Sequence, residues 1–300
     1  MGAATSADAS VPTEMKRLVL TAQGASVGAC TFLVETVPVP TPKSGEVLIR
    51  VVATPVNPSD YGSWTRATDC PKAIGNEGAG VVVASGGGLM NSLSVGDHVG
   101  FTGLKGGQGA YSEYVVANAT QGAFSMPADV KVEDAASFFV NPYTAVGILT
   151  TVRSEGSKAF VHTAAASQLG QMMVKLAKED GDLTILNVVR REAQAEILRG
   201  LGATHVVVTG GNDEWKAELR AMIKETGAFV AFDAVAGSMS GDLMGVMPAK
   251  KGKVFVYGGL GGAVTGINPI DMIYHAKQLE GWLLPRWLLS GGLFRMPARP

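Results

Sequence analysis

A short turn between an apolar strand and a helix is the first feature of the sequence that could bind a ligand. The segment from Lys158 to Lys178 reads as a strand, a run of small residues and a helix. A dinucleotide pyrophosphate needs close approach of the backbone and a helix N-terminus directed at it. The first two glycines of the G-x-G-x-x-G pattern are missing, so an ordinary turn explains this motif equally well. The small residues of the turn are Ala164, Ala165, Ala166 and Ser167, and Gly170 follows in the helix.

Two adjacent arginines stand where the next strand ends. NAD-binding domains place an acidic residue about 20 positions past the glycine turn, on the ribose hydroxyl. This chain has Arg190 and Arg191 there, with no acid before Glu192. A solvated helix start would also explain the pair, but basic residues at a helix N-terminus oppose the helix dipole. An arginine can form a charge-assisted contact with a 2′-phosphate, so the pair predicts NADPH as the cofactor.

Both features lie in a region of alternating strands and helices. Five short apolar segments between Lys158 and Tyr257 are bounded by helical ones, which predicts a parallel sheet covered on both faces. Residues before Lys131 read instead as short strands between glycine turns, typical of a barrel-like β-domain. The predicted fold class is therefore α/β, a β-barrel domain followed by a doubly wound parallel sheet. The predicted divisions are a disordered tail (1–15), a barrel domain (16–131), a nucleotide-binding domain (132–284) and a C-terminal segment (285–300).

Composition narrows the possible partners. A formal net charge of −1 over 300 residues gives no field that would draw the chain to nucleic acid or an anionic membrane. No apolar run is long enough to span a bilayer, and the opening residues lack the basic start of a signal peptide. Only Cys30 and Cys70 are present, which excludes a disulfide framework. We predict a small-molecule substrate, no nucleic-acid or membrane partner, and a cytoplasmic location, with an organelle as the alternative.

Seven short motifs, taken in order along the chain, identify a family. Each is modest alone, but the ordered set resembles the medium-chain dehydrogenase/reductase superfamily, in particular its quinone oxidoreductase and 2-enoyl thioester reductase branches. The resemblance covers nearly everything from Lys16 to Leu289, and it implies a GroES-like domain followed by a Rossmann domain. The motifs are Asn57-Pro-Ser-Asp60, Gly75-Asn-Glu-Gly-Ala-Gly80, Val95-Gly-Asp-His-Val99, Gly109-Ala-Tyr-Ser-Glu-Tyr-Val115, Asn141-Pro-Tyr-Thr-Ala145, Leu201-Gly-Ala-Thr-His-Val206 and Tyr257-Gly-Gly-Leu260.

The resemblance also implies which residues contact the cofactor. Some would lie near the nicotinamide, some at the pyrophosphate and some at the adenosine phosphate. Asp233, at the end of a strand, could serve either a ligand or a helix cap, and Trp282 could serve either the nicotinamide or the core. The implied cofactor contacts are Asn57, Thr144, Ala166, Ser167, Gln168, Leu169, Arg190, Arg191, Tyr257, Gly258, Gly259 and Leu284.

Zinc is not expected. In the zinc alcohol dehydrogenases of this superfamily a cysteine follows the strand that ends here at Ala53, and a His-Glu pair stands where this chain has Asn76 and Glu77. Catalytic zinc takes about three protein ligands, which Glu77 and Asp60 alone cannot supply. The histidines lie without ligand spacing at His98, His162, His205 and His275.

Without a metal, charge developing on a substrate oxygen must be met by hydrogen-bond donors or spread through conjugation. The nearest donors by sequence are Asn57 and Tyr61, which are therefore the candidate catalytic residues. The alternative for Tyr61 is packing in the pocket wall, which is the more common role of a buried tyrosine. The 2-enoyl thioester reductases carry a catalytic tyrosine several residues beyond Asn-Pro-Ser-Asp, and the stretch from Ser63 to Asp69 has none.

Three functions stay open. The leading one is NADPH-dependent reduction of a quinone or an α,β-unsaturated carbonyl; the others are 2-enoyl thioester reduction and NADPH binding without catalysis. The resemblance further implies a homodimer that pairs a late strand across a two-fold axis, which we assign to the apolar stretch from Val254 to Leu260. It also implies that the chain stops early, because the superfamily fold normally continues beyond Leu289.

Overall fold

The structure is a computed structural model that describes residues 11–89, 91–210 and 214–291. The chain divides into two compact units, Met1–Val140 and Asn141–Pro300. The domain limits predicted at residues 131 and 284 stay predictions.

The predicted terminal segments overlap regular structure. The first strand begins at Glu14, inside the predicted tail, and Met15 is already buried. The last helix runs to Leu289, inside the predicted C-terminal segment. The remainder of those two predictions, residues 1–10 and 292–300, lies outside the described residues.

The first unit consists mainly of antiparallel strands. One sheet has the order β7-β3-β5-β6-β8 and a smaller one the order β2-β1-β4. Val47 and Ile49 on β3 are fully buried and pack with Val82, Val99 and Phe101 from neighbouring strands, which gives the larger sheet its core. The elements are β1 (Glu14–Ala22), β2 (Thr31–Pro38), β3 (Glu46–Ala53), α1 (Pro58–Trp64), β4 (Lys72–Ala73), β5 (Glu77–Ser85), β6 (His98–Thr102), β7 (Tyr114–Asn118) and β8 (Ala123–Ser125), with 3-10 turns at Val27–Ala29 and Asp134–Ser137.

The second unit contains a six-stranded sheet in the order β11-β10-β9-β12-β13-β14, parallel throughout. In order along the chain this is 3-2-1-4-5-6, the arrangement of a doubly wound nucleotide-binding domain. The predicted fold class is confirmed. The elements are α2 (Val140–Ser154), β9 (Ala159–Thr163), α3 (Gln168–Asp180), β10 (Thr184–Val189), α4 (Glu192–Gly200), β11 (His205–Val208), α5 (Glu214–Thr226), β12 (Val230–Asp233), α6 (Ser238–Val246), β13 (Lys253–Val256), α7 (Pro269–Ile273), β14 (Gln278–Gly281) and α8 (Leu284–Leu289).

Helices cover both faces of this sheet. Alternate residues of β9 separate the two sides: Phe160 packs with residues of α2, α3 and α4, while Val161 packs with residues of α5 and α6. Because both faces are buried, the strands read as continuous apolar runs, which is why they could be located in the sequence.

The strand that we assigned to dimerisation is not at an edge. β13 lies between β12 and β14, and its Val254 and Phe255 are buried. The edge position belongs to β14, whose residues are mostly exposed. The assignment to the stretch from Val254 to Leu260 was therefore wrong, because the apolar character of β13 reflects burial inside the sheet.

One helical stretch, Asp134–Ser154, is long and apolar enough to cross a membrane by length and composition alone. Half of its most apolar window is buried, and Ile148, Leu149 and Val152 belong to the core of the second unit. A core helix satisfies the same test, so this stretch is weak support for a membrane span. It nevertheless corrects the prediction that no stretch approaches the required length.

Candidate functional site

The turn between β9 and α3 has the geometry that close backbone approach requires. Ser167 caps the helix, and its Oγ accepts a hydrogen bond from Gly170 N at 3.2 Å. A Cβ at Gly170 would lie 2.0 Å from the Ala165 carbonyl oxygen, so only glycine lets the helix start this close to the strand. Ala164 has a φ of +50°. These residues direct the start of α3 towards the carboxyl end of the sheet.

The predicted contacts within this turn differ in accessibility. Ser167 and Gln168 are exposed, and Ala166 is partly exposed. Leu169 is buried and packs in the core, so its side chain is not available to a ligand. The sequence could not show this, because the first turn of an amphipathic helix contains both kinds of position.

Arg190 and Arg191 lie at the carboxyl end of β10, and both are exposed. Their backbone N–H groups each donate to Gln194 Oε1 at 3.1 Å, which fixes the turn into α4. Among the described residues, neither guanidinium has an ion-pair or hydrogen-bond partner. Two exposed cationic side chains without a partner in the described part of the chain therefore lie at the carboxyl end of the sheet.

Asp233 is a turn-stabilising residue, which resolves the alternative left open by the sequence. Its carboxylate is fully buried and accepts hydrogen bonds from the hydroxyls of Thr163 at 2.7 Å and Ser240 at 2.6 Å. It also accepts from the backbone N–H groups of Val235 and Ala236, at 2.9 and 3.2 Å. Four donors satisfy both oxygens, so this carboxylate ties β12 to β9 and α6.

Tyr257 follows β13 directly and pairs with a buried histidine. Its hydroxyl lies 2.7 Å from His162 Nε2, and the two rings stack at 5.9 Å. Burial lowers the pKa of His162 to about 3, so the imidazole is neutral. Gly258 follows, where a Cβ would lie 2.5 Å from the Ala234 carbonyl oxygen, and Gly259 is exposed. Sequence reasoning found Tyr257 but placed His162 only in the core or on the surface.

Thr144 and Leu284 are buried, and Trp282 packs against the core of the second unit. Thr144 on α2 and Leu284 on α8 are each 7% exposed. Trp282 donates from Nε1 to Thr151 Oγ1 at 3.1 Å and packs against Gly147, whose added Cβ would lie 2.9 Å from the indole. The core interpretation of Trp282 therefore has direct support.

In the first unit, Asn57 precedes α1 and is itself buried. Its Nδ2 donates to Glu77 Oε1 at 2.8 Å. Glu77 Oε2 accepts from the backbone N–H groups of Phe139 and Val140, both at 3.0 Å. Burial raises the pKa of Glu77, and these hydrogen bonds oppose that rise. One hydrogen of the Asn57 amide is thus committed to protein.

Asp60 extends this buried network. Its Oδ2 accepts from Asn57 N at 2.7 Å, and its Oδ1 accepts from Asn76 Nδ2 at 2.5 Å. Burial raises the pKa of Asp60. The Tyr111 hydroxyl donates to the Pro55 carbonyl at 3.1 Å and also contacts the Asp60 carboxyl group. Burial raises the pKa of Tyr111. Each of Glu77, Asp60 and Tyr111 belongs to one of the seven sequence motifs. The sequence did not predict that the three side chains share one buried network.

Tyr61 does not join the network. It is 40% exposed, and its ring meets Trp64 edge-on at 5.5 Å. Its hydroxyl has no hydrogen-bond partner among the described residues. The structure therefore brings Asn57 together with Glu77 and Asp60, and leaves Tyr61 as an accessible phenol on the same helix.

The residues at the expected zinc positions do not fit a catalytic zinc. Asn57 and Asn76 are amides that donate to the neighbouring carboxylates. No three of the described His, Cys, Asp and Glu side chains lie close enough to hold a metal ion.

Comparison with known proteins agrees with this architecture. Residues 43–128 match the alcohol dehydrogenase GroES-like domain, and residues 169–289 match the family described as zinc-binding dehydrogenase. The bovine mitochondrial enoyl-[acyl-carrier-protein] reductase is 28% identical over 251 residues, which cover 80% of this chain and 65% of that protein. The chain thus spans slightly less than two thirds of this relative.

Solved structures give a closer match. A Mesorhizobium loti protein, assigned as an NADPH:quinone reductase, is 33% identical with a TM-score of 0.82, covering 95% of this chain and 86% of its own. A mycobacterial protein solved in complex with NADPH is 24% identical with a TM-score of 0.78, covering 94% of this chain and 85% of its own, which shows the shared fold. The resemblance carried by the seven motifs is confirmed, and the chain belongs to the medium-chain dehydrogenase/reductase superfamily.

Proposed function

We propose that the chain is an NADPH-dependent oxidoreductase that transfers a hydride to a quinone or an α,β-unsaturated carbonyl without zinc. The observation that carries the proposal is the pair of exposed guanidiniums of Arg190 and Arg191 at the carboxyl end of β10, which have no ion-pair or hydrogen-bond partner within residues 11–89, 91–210 and 214–291. A 2′-phosphate would supply the negative charge that pairs with these two guanidiniums. The Mesorhizobium loti and mycobacterial proteins, whose descriptions name NADPH, support the same cofactor.

The turn between β9 and α3 fits the pyrophosphate of this cofactor. The close packing at Gly170 and the cap at Ser167 leave the start of α3 accessible, with Ser167 and Gln168 exposed. A helix start of this kind favours a phosphate through its free N–H groups and its dipole. Tyr257, Gly258 and Gly259 are proposed to contact the nicotinamide half, and Thr144, Ala166, Leu169 and Leu284 to contribute backbone or packing contacts.

The proposed chemistry depends on conjugation in the substrate. Bound NADPH supplies the hydride, and the protein orients it and excludes water. Since the residues at the expected zinc positions do not fit a metal, negative charge on the substrate oxygen must be delocalised or met by hydrogen bonds. Asn57 offers the second hydrogen of its amide, and Tyr61 offers an accessible phenol that could also deliver the proton. Quinones and enones should therefore react, and simple alcohols should not.

A second candidate is reduction of a 2-enoyl thioester, favoured by the names of curated relatives such as the bovine enoyl-[acyl-carrier-protein] reductase. The stretch from Ser63 to Asp69 has no tyrosine, which speaks against it. Hydride addition to the double bond of a 2-enoyl thioester also places negative charge on a carbonyl oxygen, so the hydrogen-bond donors alone do not separate the two candidates.

The experiment that separates these candidates is NADPH oxidation by the purified full chain against a panel of quinones, short enones and enoyl thioesters. Turnover with quinones or enones supports the proposal. Turnover confined to thioesters favours the second candidate, and NADPH binding without oxidation by any acceptor favours a non-catalytic protein.

Assembly and location are also proposed. A homodimer remains our proposal, now through the exposed edge of β14, since an isologous pairing satisfies both edges at once. A cytoplasmic location also stays a proposal, and the mitochondrial curated relatives make an organelle compatible.

A further inference from the structure

His162 and Tyr257 form a pair that the proposed chemistry does not yet use. His162 lies on β9 and Tyr257 directly after β13, two strands away across β12. Their polar atoms lie 2.7 Å apart and their rings are inclined by 18°. A polar pair at the carboxyl end of a parallel sheet is at the edge where such sheets bind ligands.

The neutral imidazole of His162 carries one N–H hydrogen, on either Nδ1 or Nε2. His162 is fully buried, and burial keeps it neutral by lowering its pKa to about 3. Its Nδ1 is buried and has no partner among the described residues. If Nδ1 carried the hydrogen, a buried N–H donor would be orphaned, which is rarer in proteins than an unsatisfied acceptor. The favoured tautomer therefore carries its hydrogen on Nε2, which donates to the Tyr257 oxygen.

This tautomer determines what the Tyr257 hydroxyl can do. Burial, with the charge of Asp233, raises the pKa of Tyr257, so the phenol keeps its hydrogen. An oxygen that accepts from His162 has its own O–H free to donate. No other hydrogen bond to this hydroxyl is made by the described residues. Tyr257 is partly exposed, and Gly258 and Gly259 beside it have no side chains to cover it.

We propose that His162 is a positioning residue whose Nε2–H donates to the Tyr257 hydroxyl, so that the Tyr257 O–H donates to an oxygen of the bound NADPH. The proposal rests on the proposed function for the identity of the ligand. Such a role explains why a fully buried histidine is kept although its Nδ1 has no hydrogen-bond partner among the described residues. A hydroxyl held between a buried donor and the ligand is pre-oriented, which reduces the entropy lost on binding.

The tautomer can be measured without any ligand. Nitrogen-15 spectra of the full chain with labelled histidine distinguish protonated from unprotonated ring nitrogens, and His162→Gln identifies the signals that belong to His162. We expect hydrogen on Nε2 and none on Nδ1 at neutral pH. Hydrogen on Nδ1 would overturn the proposal, because Tyr257 would then have to donate to His162.

A set of variants tests the effect on NADPH binding. Tyr257→Phe should weaken NADPH binding by about 3- to 10-fold, the range for one neutral hydrogen bond. His162→Phe should weaken it similarly, and His162→Gln, whose amide can donate to the same oxygen, should recover most of the loss. The double variant His162→Phe with Tyr257→Phe should bind no worse than Tyr257→Phe alone, because both changes remove one interaction.

The outcomes separate this inference from the proposed function. Wild-type protein that fails to bind NADPH overturns the proposed function and the ligand assignment together. Wild-type binding that Tyr257→Phe leaves unchanged overturns the inference alone. Additive losses in the double variant, or no recovery with His162→Gln when circular dichroism shows a folded protein, mean that His162 acts only in packing and also overturn it.

Discussion

Asn57 Nδ2 donates to Glu77 Oε1 at 2.8 Å, in a part of the first unit where both side chains are buried. Glu77 also accepts two backbone N–H groups, from Phe139 and Val140. Each of these three hydrogen-bond partners is a donor, while burial and the repulsive charge of the nearby Asp60 carboxyl group both raise the pKa of Glu77. The Asn57 amide thus stabilises the buried carboxyl group of Glu77 by a hydrogen bond. Glu77 belongs to the pair of positions where the zinc dehydrogenases of the superfamily have His-Glu.

Glu77→Gln should destabilise the protein. An amide in this position turns one acceptor oxygen into a donor that faces Asn57 Nδ2 or the backbone N–H groups, whichever way it is rotated. We expect a loss of about 1–3 kcal/mol in the free energy of unfolding, the cost of a buried unsatisfied group. Chemical denaturation measures it, with the exposed Glu133→Gln as the control. Equal stability of the two variants would contradict the buried network.

His162 should make stability depend on pH in one direction. Its folded-state pKa is about 3, below the ordinary value near 6.5, so the unfolded chain binds a proton that the folded chain does not. The free energy of unfolding is therefore not lowered by His162 above about pH 6.5, and it decreases as the pH falls from 6.5 towards 3. The difference in unfolding free energy between wild type and His162→Gln should shift against wild type by about 1.4 kcal/mol per pH unit in that window. A difference that is independent of pH would show that His162 titrates normally.

Tyr61→Phe tests the accessible phenol. If Tyr61 donates a hydrogen bond or a proton to the substrate, turnover with an enone should fall at least tenfold while the NADPH dissociation constant stays unchanged, since general acid catalysis contributes about 10²–10⁴-fold. Steady-state kinetics and a binding titration measure the two quantities. Tyr274→Phe, at another exposed tyrosine, is the matched control. Unchanged turnover would return Tyr61 to a packing role against Trp64.

Activity should not depend on a metal. The side chains at Asn57 and Asn76 are amides, and the carboxylates they contact already accept hydrogen bonds from them. Elemental analysis of the purified protein should find far less than one zinc per chain, and treatment with a chelator should leave turnover unchanged. Stoichiometric zinc together with loss of turnover on chelation would show that other ligands assemble a site.

Sequence patterns located the parts of the molecule that depend on local order. Among the strands and helices between Lys158 and Tyr257, β10, α3 and β11 were predictable because each is an apolar run or a helix with a clear start. α6 was missed, because its glycine-, serine- and methionine-rich sequence lacks an amphipathic pattern. α1 was missed although Asn57 and Pro58 are typical of a helix start, because Gly62 interrupts so short an element.

Sequence patterns could not predict contacts between residues that lie far apart along the chain. Asp233 accepts from Thr163, 70 positions earlier, and His162 contacts Tyr257, 95 positions later. No periodicity links such pairs, since parallel strands become neighbours only through the order of the sheet. The same reason explains why β13 was mistaken for an edge: its apolar sequence shows burial without showing which strands lie beside it.

The dissociation constants of NADPH and NADH test the proposed preference of the protein for NADPH. Wild-type protein should bind NADPH more tightly than NADH. Arg190→Ala should weaken NADPH binding by about 1.5–3 kcal/mol, on the order of 10- to 150-fold, and leave NADH binding unchanged. Arg199→Ala on α4, the helix that follows, removes a side chain that pairs with Glu192 and should change neither value. Equal affinity of the wild-type protein for NADPH and NADH would contradict the proposed role of Arg190 and Arg191.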